Sequence, residues 1–310
     1  MVIYSKISQI ERVLQIEEAL LEEAAEVESF FPFRCTSYYA NLVRECDFSD
    51  PVFSQIFPRR EELDFDSTLD PFCEEGSTEH PCLVRRYPNR LLVITTNVCF
   101  VHCRFCMRKR KWLDPHFLFE DVGTLVDFLR RHPEVEDVIL SGGDPMTLPD
   151  ALLNELLSAV RSVDTVKIIR IGTRAPVVAP EAVLKKIRVI ERFAPVWINT
   201  HFNHPRELTD EAAEAILTLI KSGAPVNNQT VLLKGVNDDY HVLKELFVGL
   251  LSMGVKPYYL FSCDPVGGVR HFFVPWEKGL GFVERLRREA SGMAVPHYAV
   301  DGLDGKRIIP

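Results

Sequence analysis

From residue 90 onward, apolar strand-like runs alternate regularly with helical stretches. Six such units in about 200 residues indicate parallel strands joined by right-handed crossovers. Eight units would close a full barrel, so six predict a partial TIM-like (β/α)6 barrel with a lateral opening and its chemistry at the carboxyl ends of the strands. The predicted strands are Leu91–Thr95, Asp137–Ser141, Val166–Ile171, Val196–His201, Val226–Leu232 and Pro257–Phe261, and the predicted helices are Phe119–Arg131, Ala151–Ser162, Glu181–Phe193, Thr209–Lys221, Tyr240–Leu251 and Trp276–Glu289.

The first 85 residues do not follow this alternation. Ile7–Ser29 has apolar residues at helical spacing, which predicts one amphipathic helix, and the Pro/Asp-rich stretch that follows predicts short helices and loops. We therefore expect three parts in this α/β chain: an N-terminal helical extension (1–85), a partial barrel (86–296) and a C-terminal segment (297–310).

Composition excludes several classes of function. A net charge of −8 and a pI near 5.7 argue against a surface that binds nucleic acid. No apolar run approaches the ~20 residues of a membrane span, and the N-terminus lacks the layout of a secretory signal. Eight cysteines in 310 residues are too few for a disulfide scaffold. These features predict a cytoplasmic protein without a nucleic-acid or membrane partner.

Three of the cysteines, Cys99, Cys103 and Cys106, form a C-x3-C-x2-C loop directly after the first predicted strand. Three thiolates on one loop can hold three irons of a [4Fe–4S] cluster and leave the fourth iron open to a small molecule. A zinc site with His102 as a fourth ligand and a chance spacing are the alternatives. The loop resembles the signature of radical S-adenosylmethionine (SAM) enzymes, in which the open iron binds SAM and an electron from the cluster yields a 5′-deoxyadenosyl radical.

Strings elsewhere in the chain closely resemble lysine 2,3-aminomutase, in the same order, through most of the sequence. The resemblance implies a radical SAM barrel that also uses pyridoxal 5′-phosphate (PLP), held by a lysine as a Schiff base, and that turns an α-amino acid into a β-amino acid. The strings are Phe31-Pro32-Phe33-Arg34, Arg86-Tyr87-Pro88-Asn89-Arg90, Arg170 to Pro176, Asn199 to Pro205, Asn228 to Asp238, Pro257 to Phe261 and His271-Phe272.

The resemblance also implies cofactor-binding residues. The three loop cysteines match the cluster ligands, and Arg86, Tyr87 and Arg90 match positions near the PLP phosphate, which suits guanidinium groups. The alternatives are that Gly142-Gly143 is a plain turn, that the run from Arg86 to Arg90 is a solvated approach to a strand, and that His201 is a satisfied core histidine. The residues expected around SAM are Ser141, Gly142, Gly143, Asp144, His201 and Gln229.

Three residues match positions that bind the substrate. Arg108 matches the partner of the substrate carboxylate, although it could be a surface arginine in the basic run from Arg104 to Lys111. Asp264 and Asp301 match two aspartates that face the distal ammonium of lysine, because one carboxylate alone would leave that buried charge under-paired. The alternative is that Asp264 is a turn former and Asp301 is an exposed acid. Relatives that act on glutamate replace these acids.

The C-terminal segment departs from the family. Asp301-Gly302-Leu303-Asp304-Gly305-Lys306 is about two residues shorter than the family's glycine-rich segment and has fewer glycines, and Lys306 is its candidate Schiff-base lysine. The alternative is a solvated lysine. The chain also stops at Pro310, before the family's C-terminal extension. The shorter length is similar to that of the branch that acts on lysine for elongation factor P modification. The second acid, Asp301, is closer to the branch that acts on free lysine.

The leading hypothesis is a radical SAM, PLP-dependent 2,3-aminomutase, an isomerase, acting on L-lysine or a close cationic analogue. One alternative acts on another amino acid, including the elongation factor P branch, or lacks PLP. Another is a cluster-bearing redox sensor without turnover. We expect a [4Fe–4S] cluster, SAM and PLP as cofactors, an amino acid substrate, an electron donor such as flavodoxin or ferredoxin, and a homodimer.

Overall fold

The computed structural model of the protein describes residues 1–65, 67–303 and 305–310. Its centre is a sheet of nine strands: β3 (Leu83–Tyr87), β4 (Arg90–Thr96), β5 (Asp137–Gly142), β6 (Ile168–Gly172), β7 (Trp197–Thr200), β8 (Val226–Leu232), β9 (Lys256–Ser262), β10 (His297–Gly302) and β11 (Gly305–Ile309). The strands lie in the order β11-β10-β9-β8-β7-β6-β5-β4-β3. Strands β4 to β10 are parallel, whereas β3 and β11 pair antiparallel at the two edges.

Helices cover the outside of this sheet and follow its parallel strands. The six long ones are α5 (Val122–Arg131), α6 (Asp150–Arg161), α8 (Pro180–Arg192), α9 (Asp210–Lys221), α10 (Tyr240–Ser252) and α11 (Trp276–Glu289), with the short α7 (Ala175–Val178) before α8. The N-terminal part contains α1 (Ile7–Ile10), α2 (Glu18–Glu28), α3 (Ser37–Ala40), α4 (Phe53–Ile56) and a small sheet of β1 (Ile3–Tyr4) with β2 (Cys35–Thr36).

The predicted partial barrel is confirmed, and local chemistry explains where its helices begin. Side chains of Asp121, Thr209 and Asp239 accept backbone N–H groups in the first turns of α5, α9 and α10, which satisfies donors that have no partner inside a helix. Each helix then buries one apolar face, as Leu125, Phe128 and Leu129 do in α5.

The single helix predicted over Ile7–Ser29 is wrong. The structure has two helices, α1 and α2, and the chain turns between them so that α1 packs against α2 and Ile7 N–H donates to Glu28 Oε1 at 3.0 Å. A continuous helix of that length would extend about 35 Å and could not place Ile10, Leu14 and Val27 in one core. Burial of those side chains therefore overrides local helical spacing.

Three strands of the nine-stranded sheet were missing from the prediction, namely β3, β10 and β11, as were the two short strands β1 and β2 of the N-terminal part. Each of the first three lies at or next to an edge of the nine-stranded sheet, where side chains are only partly buried and the apolar alternation is weak. The β3–β4 turn is Pro88-Asn89, and Tyr87 pairs with Arg90 across it. At the other edge, Asp301 pairs directly with Lys306 in what we call the C-terminal hairpin, β10 and β11.

The N-terminal part shares its core with the barrel. Phe33, Tyr39 and Phe53 belong to the same buried cluster as Leu140 and Ile198. The boundaries at 85/86 and 296/297 stay predictions; β3 spans the first, and the sheet continues past the second. In the described part of the chain, no helix combines the length and the apolar character that a membrane crossing requires.

Candidate active site

A cavity of about 350 Å³ lies inside the barrel and opens at the carboxyl ends of its strands. Residues far apart in sequence meet here because the ends of neighbouring parallel strands share one rim. Every predicted site residue lines the cavity: Arg86, Tyr87, Arg90, Cys99, Cys103, Cys106, Arg108, Ser141, Gly142, Gly143, Asp144, His201, Gln229, Asp264, Asp301 and Lys306.

The loop that begins at Cys99 is packed against the Gly142–Gly143 turn. A Cβ on Gly143 would lie 2.3 Å from Val98 O, and Gly142 has a φ of +112°, so neither position tolerates a side chain. The N–H of Gly143 donates to Thr96 O at 2.5 Å, and that of Asp144 donates to Val98 O at 2.7 Å. The paired glycines therefore bring β5 and the cysteine-bearing loop together.

Asp144 and His201 are buried at the adjoining wall. The Asp144 carboxylate accepts hydrogen bonds from Thr173 Oγ1 at 2.6 Å and from the N–H of Arg174 at 3.0 Å, and burial raises its pKa. Burial, together with the nearby Arg174 charge, lowers the pKa of His201 to about 4. His201 is thus a neutral imidazole at neutral pH.

The three loop thiols lie in a setting that suits an iron–sulfur cluster. Burial raises the pKa of Cys99 and Cys106, the latter to about 11, and neighbouring thiolates add to the effect. Bound iron would offset that penalty, because a coordinating thiol is deprotonated. Arg174 Nη1 donates to Cys103 Sγ at 2.8 Å, and the N–H of Arg108 lies 3.4 Å from Cys106 Sγ. Such hydrogen bonds to sulfur are typical of cluster sites.

No three His, Cys, Asp or Glu side chains among residues 1–65, 67–303 and 305–310 are grouped closely enough for a single metal ion. A four-iron cluster is wider than a single ion, so the thiols that hold a cluster stand further apart than the ligands of one ion. His102, the alternative fourth zinc ligand, is turned away from the cavity: its Nδ1 lies 2.9 Å from Pro32 O, and its ring stacks on Trp112 at 4.4 Å.

A buried ion cluster anchors the cysteine-bearing loop. Arg104 and Lys109 have no exposed side-chain surface, and both bind Glu62, with Arg104 Nη2 at 2.6 Å and Lys109 Nζ at 2.8 Å from Oε2. We call these three residues the Glu62 ion cluster. Although burial alone would raise the pKa of Glu62, the two cations lower it. Glu62 is therefore the counter-charge that both buried cations share.

The cavity lining also includes the lysine of the C-terminal hairpin. Lys306 Nζ lies 3.8 Å from the Tyr259 ring centroid and 4.4 Å from that of Phe261. Burial lowers the pKa of Lys306 to about 8, and the charges of Asp301 and Asp264 only partly oppose this. An amine with such a pKa is a usable nucleophile near neutral pH.

Basic groups beside Lys306 suit a phosphate. Arg86 Nε is buried without a hydrogen-bond partner among the described residues, while Arg86 Nη2 donates to Gly302 O at 2.5 Å. Arg90 lies over the Tyr87 ring at 4.4 Å, and Tyr87 Oη accepts the backbone N–H of Lys306 at 2.6 Å. An amine, free guanidinium donors and aromatic rings together fit PLP.

The two aspartates form an acidic end of the cavity. Burial and the nearby charge of Asp301 together raise the pKa of Asp264 to about 7, although Arg108 and Arg86 oppose the shift. Arg86 Nη1 lies 3.9 Å from Asp301 Oδ1. A cationic ligand group between the two carboxylates would relieve their repulsion and favour the ionised form of both.

Three charged lining residues were missed: Glu74, Arg170 and Arg174. Arg174 joins Cys103 to the N-terminal part, because its Nη2 donates to Gln55 Oε1 at 2.6 Å and to Glu207 Oε1 at 2.8 Å. Arg170 pairs with Asp137 at 2.5 Å. The position of Arg174 just after the end of β6 was a usable signal, whereas Arg170 lies in the middle of that strand and Glu74 lies in a loop whose sequence gives no such indication.

Comparison with known proteins agrees with this geometry. Residues 93–246 match the model of the Radical SAM superfamily. A solved structure of a radical SAM methyltransferase from Sphaerobacter thermophilus has a TM-score of 0.52 and is 20% identical, and the match covers 72% of this chain and 70% of the methyltransferase. The structure of SuiB from Streptococcus suis has a TM-score of 0.51 and is 16% identical, and the match covers 70% of this chain and 50% of SuiB. The two structural similarities show the fold, and the matched model gives the class to which residues 93–246 belong, the Radical SAM superfamily.

Sequence relatives narrow the class. A protein of Aquifex aeolicus provisionally named an L-lysine 2,3-aminomutase is 42% identical over 98% of this chain and 84% of its own length. The L-lysine 2,3-aminomutase of Clostridium subterminale is 36% identical (96% and 73%), and the glutamate 2,3-aminomutase of Clostridioides difficile is also 36% identical (96% and 72%). The chain belongs to the lysine 2,3-aminomutase family, whose members are isomerases that use a [4Fe–4S] cluster, SAM and PLP.

Proposed function

We propose that this enzyme converts L-lysine to its β-amino isomer by moving the nitrogen from C2 to C3. The observation that carries the proposal is a single cavity that holds the three cysteine thiols, the Lys306 amine and the paired carboxylates of Asp264 and Asp301. Cluster, PLP and a cationic side chain could each be bound there at the same time.

We assign the cofactors as follows. Cys99, Cys103 and Cys106 hold the cluster, and Lys306 carries PLP with Arg86, Tyr87 and Arg90 near its phosphate. PLP and the SAM-derived radical supply the chemistry at the reacting carbons when they are bound, and the protein orients them and the substrate. SAM contacts are assigned to Ser141, Gly142, Gly143, Asp144, His201 and Gln229.

Charge complementarity supports lysine over glutamate as the substrate. Arg108 would pair with the α-carboxylate, and Asp264 with Asp301 would face the distal ammonium. A glutamate side chain would add a third negative charge to a buried acidic site and would be repelled. Phe261 lines the same space, with the Tyr259 ring packed beside it at 5.1 Å, and it limits the access of water to the reacting atoms.

The test is an anaerobic assay of the reconstituted enzyme with L-lysine and, separately, L-glutamate. We expect a β-amino acid from lysine, together with 5′-deoxyadenosine, and no product from glutamate, measured by chromatography after derivatisation. Product from glutamate but not from lysine would contradict the proposed substrate, and cleavage of SAM without any amino acid product would contradict the aminomutase reaction.

We also propose that a small electron-transfer protein such as flavodoxin or ferredoxin reduces the cluster, since radical generation needs one electron. A cytoplasmic location is supported by the eight cysteines, all of which are unpaired thiols, as expected in a reducing compartment. The homodimer stays a prediction, to be tested by light scattering.

A further inference from the structure

Glu74 holds the side chain of Arg108 in a fixed orientation inside the cavity. Arg108 Nε donates to Glu74 Oε2 at 2.8 Å, and Arg108 Nη2 donates to Glu74 Oε1 at 2.5 Å. Only 2% of the Glu74 side chain and 14% of the Arg108 side chain are exposed. The pair is therefore a buried, bidentate ion pair, the strongest and most directional kind of guanidinium–carboxylate contact.

The geometry of a guanidinium group determines what this pair leaves free. A guanidinium has one bidentate edge formed by Nε and Nη2 and another formed by its two Nη atoms. Glu74 uses the first edge. No oxygen atom of the described residues accepts a hydrogen bond from Arg108 Nη1, so the second edge is available to a carboxylate in the cavity.

Glu74 is itself held in place. Its backbone N–H donates to Asp70 Oδ1 at 3.1 Å, and Arg110 Nη2 donates to its Oε2 at 3.2 Å. Arg110 also pairs with Asp70 at 3.0 Å. Although burial alone would raise the pKa of Glu74, the Arg108 and Arg110 guanidinium groups lower it to about 2, so the carboxylate is ionised at working pH.

We propose that Glu74 is a positioning residue that presents the free edge of Arg108 to the α-carboxylate of the amino acid substrate. This inference rests on the proposed function, in which Arg108 binds that carboxylate. A free arginine side chain in a cavity would sample many rotamers and lose that freedom on each binding event. With Glu74 in place, the guanidinium is already oriented before the substrate arrives, which favours tight and specific binding.

The matched control is Glu75, the adjacent glutamate. Glu75 is largely exposed, and it pairs with Arg110 Nε at 3.1 Å and Lys111 Nζ at 3.0 Å but not with Arg108. Glu74→Gln keeps the size of the side chain, but its amide has only one oxygen, and an NH2 group replaces the other, so the bidentate pair with Arg108 Nε and Nη2 is lost. Glu75→Gln makes the same chemical change without touching the guanidinium of Arg108.

The experiment compares the reconstituted full-length parent, Glu74→Gln and Glu75→Gln with L-lysine and with L-lysinamide, which lacks the carboxylate. For Glu74→Gln we expect KM for L-lysine to rise at least tenfold with a smaller change in kcat, KM for L-lysinamide to change less than twofold, and iron content to match the parent. For Glu75→Gln we expect parent values throughout.

Three results would overturn the inference: equal lysine KM in the two variants, an equal rise in KM for lysine and lysinamide in Glu74→Gln, or loss of iron from Glu74→Gln, which would make Glu74 a support of the loop alone. A parent that isomerises an amino acid other than lysine would contradict the proposed substrate instead, and the same comparison would then use that amino acid and its amide. A parent that acts on no free amino acid would overturn both.

Discussion

The loop of Cys99, Cys103 and Cys106 and the C-terminal hairpin both carry side chains assigned to a cofactor, yet they are attached to the barrel differently. The Glu62 ion cluster anchors the loop, and its three side chains have no exposed surface. The hairpin lies at the edge of the sheet, where Leu303 is 70% exposed, and it is held through Arg86 and Tyr87.

This contrast indicates where the enzyme tolerates change. Breaking a buried ion cluster leaves uncompensated charge and costs several kcal/mol, whereas a hydrogen bond at a sheet edge contributes about 1 kcal/mol. We also expect the segment from Asp301 to Lys306 to be where this chain departs from its family, being shorter and poorer in glycine. The strong anchor thus lies at the cysteine-bearing loop, and the weaker one lies at the hairpin.

The largest effect is expected in the loop. Cys99→Ala, Cys103→Ala or Cys106→Ala should each abolish SAM cleavage, because the cluster loses a ligand. Iron content and 5′-deoxyadenosine formation measure this. Cys35→Ala and Cys46→Ala remove thiols outside the cavity lining and should retain both, and full activity in any loop variant would refute the assignment.

At the hairpin, Lys306→Ala should lose covalently attached PLP but keep its cluster, because the cluster ligands lie on a different segment of the chain, the loop from Cys99 to Cys106. Borohydride reduction followed by peptide mapping locates the PLP, and iron analysis reports the cluster. Lys278→Ala, which changes an exposed lysine paired with Asp238, should behave as the parent. PLP trapped on another lysine would show that the family position does not carry over to the shortened segment.

Removing either acid should impair lysine turnover strongly without affecting the cluster. Asp264→Asn and Asp301→Asn leave the distal ammonium under-paired, a loss of roughly 2–5 kcal/mol. This corresponds to a fall in kcat/KM of about one to three orders of magnitude or more. Asp238→Asn is a control outside the cavity. Near-parent kinetics in both acid variants would mean that these carboxylates do not recognise the side chain.

The buried anchor of the loop can be compared with a surface ion pair through the free energy of unfolding. Glu62→Gln should lower the free energy of unfolding by about 3–5 kcal/mol, because Arg104 and Lys109 lose their common counter-charge. Glu61→Gln breaks only the surface pair with Arg59 and should cost about 0–1 kcal/mol. Urea titrations under anaerobic conditions give both values, and equal effects would remove the distinction between a buried and a surface anchor.

The smallest effect is expected for Tyr87→Phe, which removes the hydroxyl that accepts the Lys306 N–H. A loss of about 0.5–1.5 kcal/mol corresponds to amide exchange about 2- to 13-fold faster in the hairpin. Hydrogen exchange with mass spectrometry can compare peptides over 297–310 and 99–112. Equal acceleration in both peptides would show that the hairpin is not held independently of the loop.

Much of the barrel could be predicted because its signals are local. Strands β4 to β9 and their helices follow from apolar periodicity, and capping residues such as Thr209 mark helix starts within a few positions. The N-terminal helix and the edge strands were not predicted correctly, because their structure depends on partners elsewhere: α1 folds back on α2, and β11 exists only through pairing with β10.

By itself, the sequence determined that three cysteines share one loop, that six strand–helix units build the barrel, and which residues match those of known aminomutases. Only the tertiary structure decided which charges meet. Glu62 reaches Arg104 across 42 positions and Glu74 reaches Arg108 across 34, and no local pattern encodes either pair. The physical reason is that periodicity reflects burial of one segment, whereas a buried charge is stable only beside a partner that folding alone brings to it.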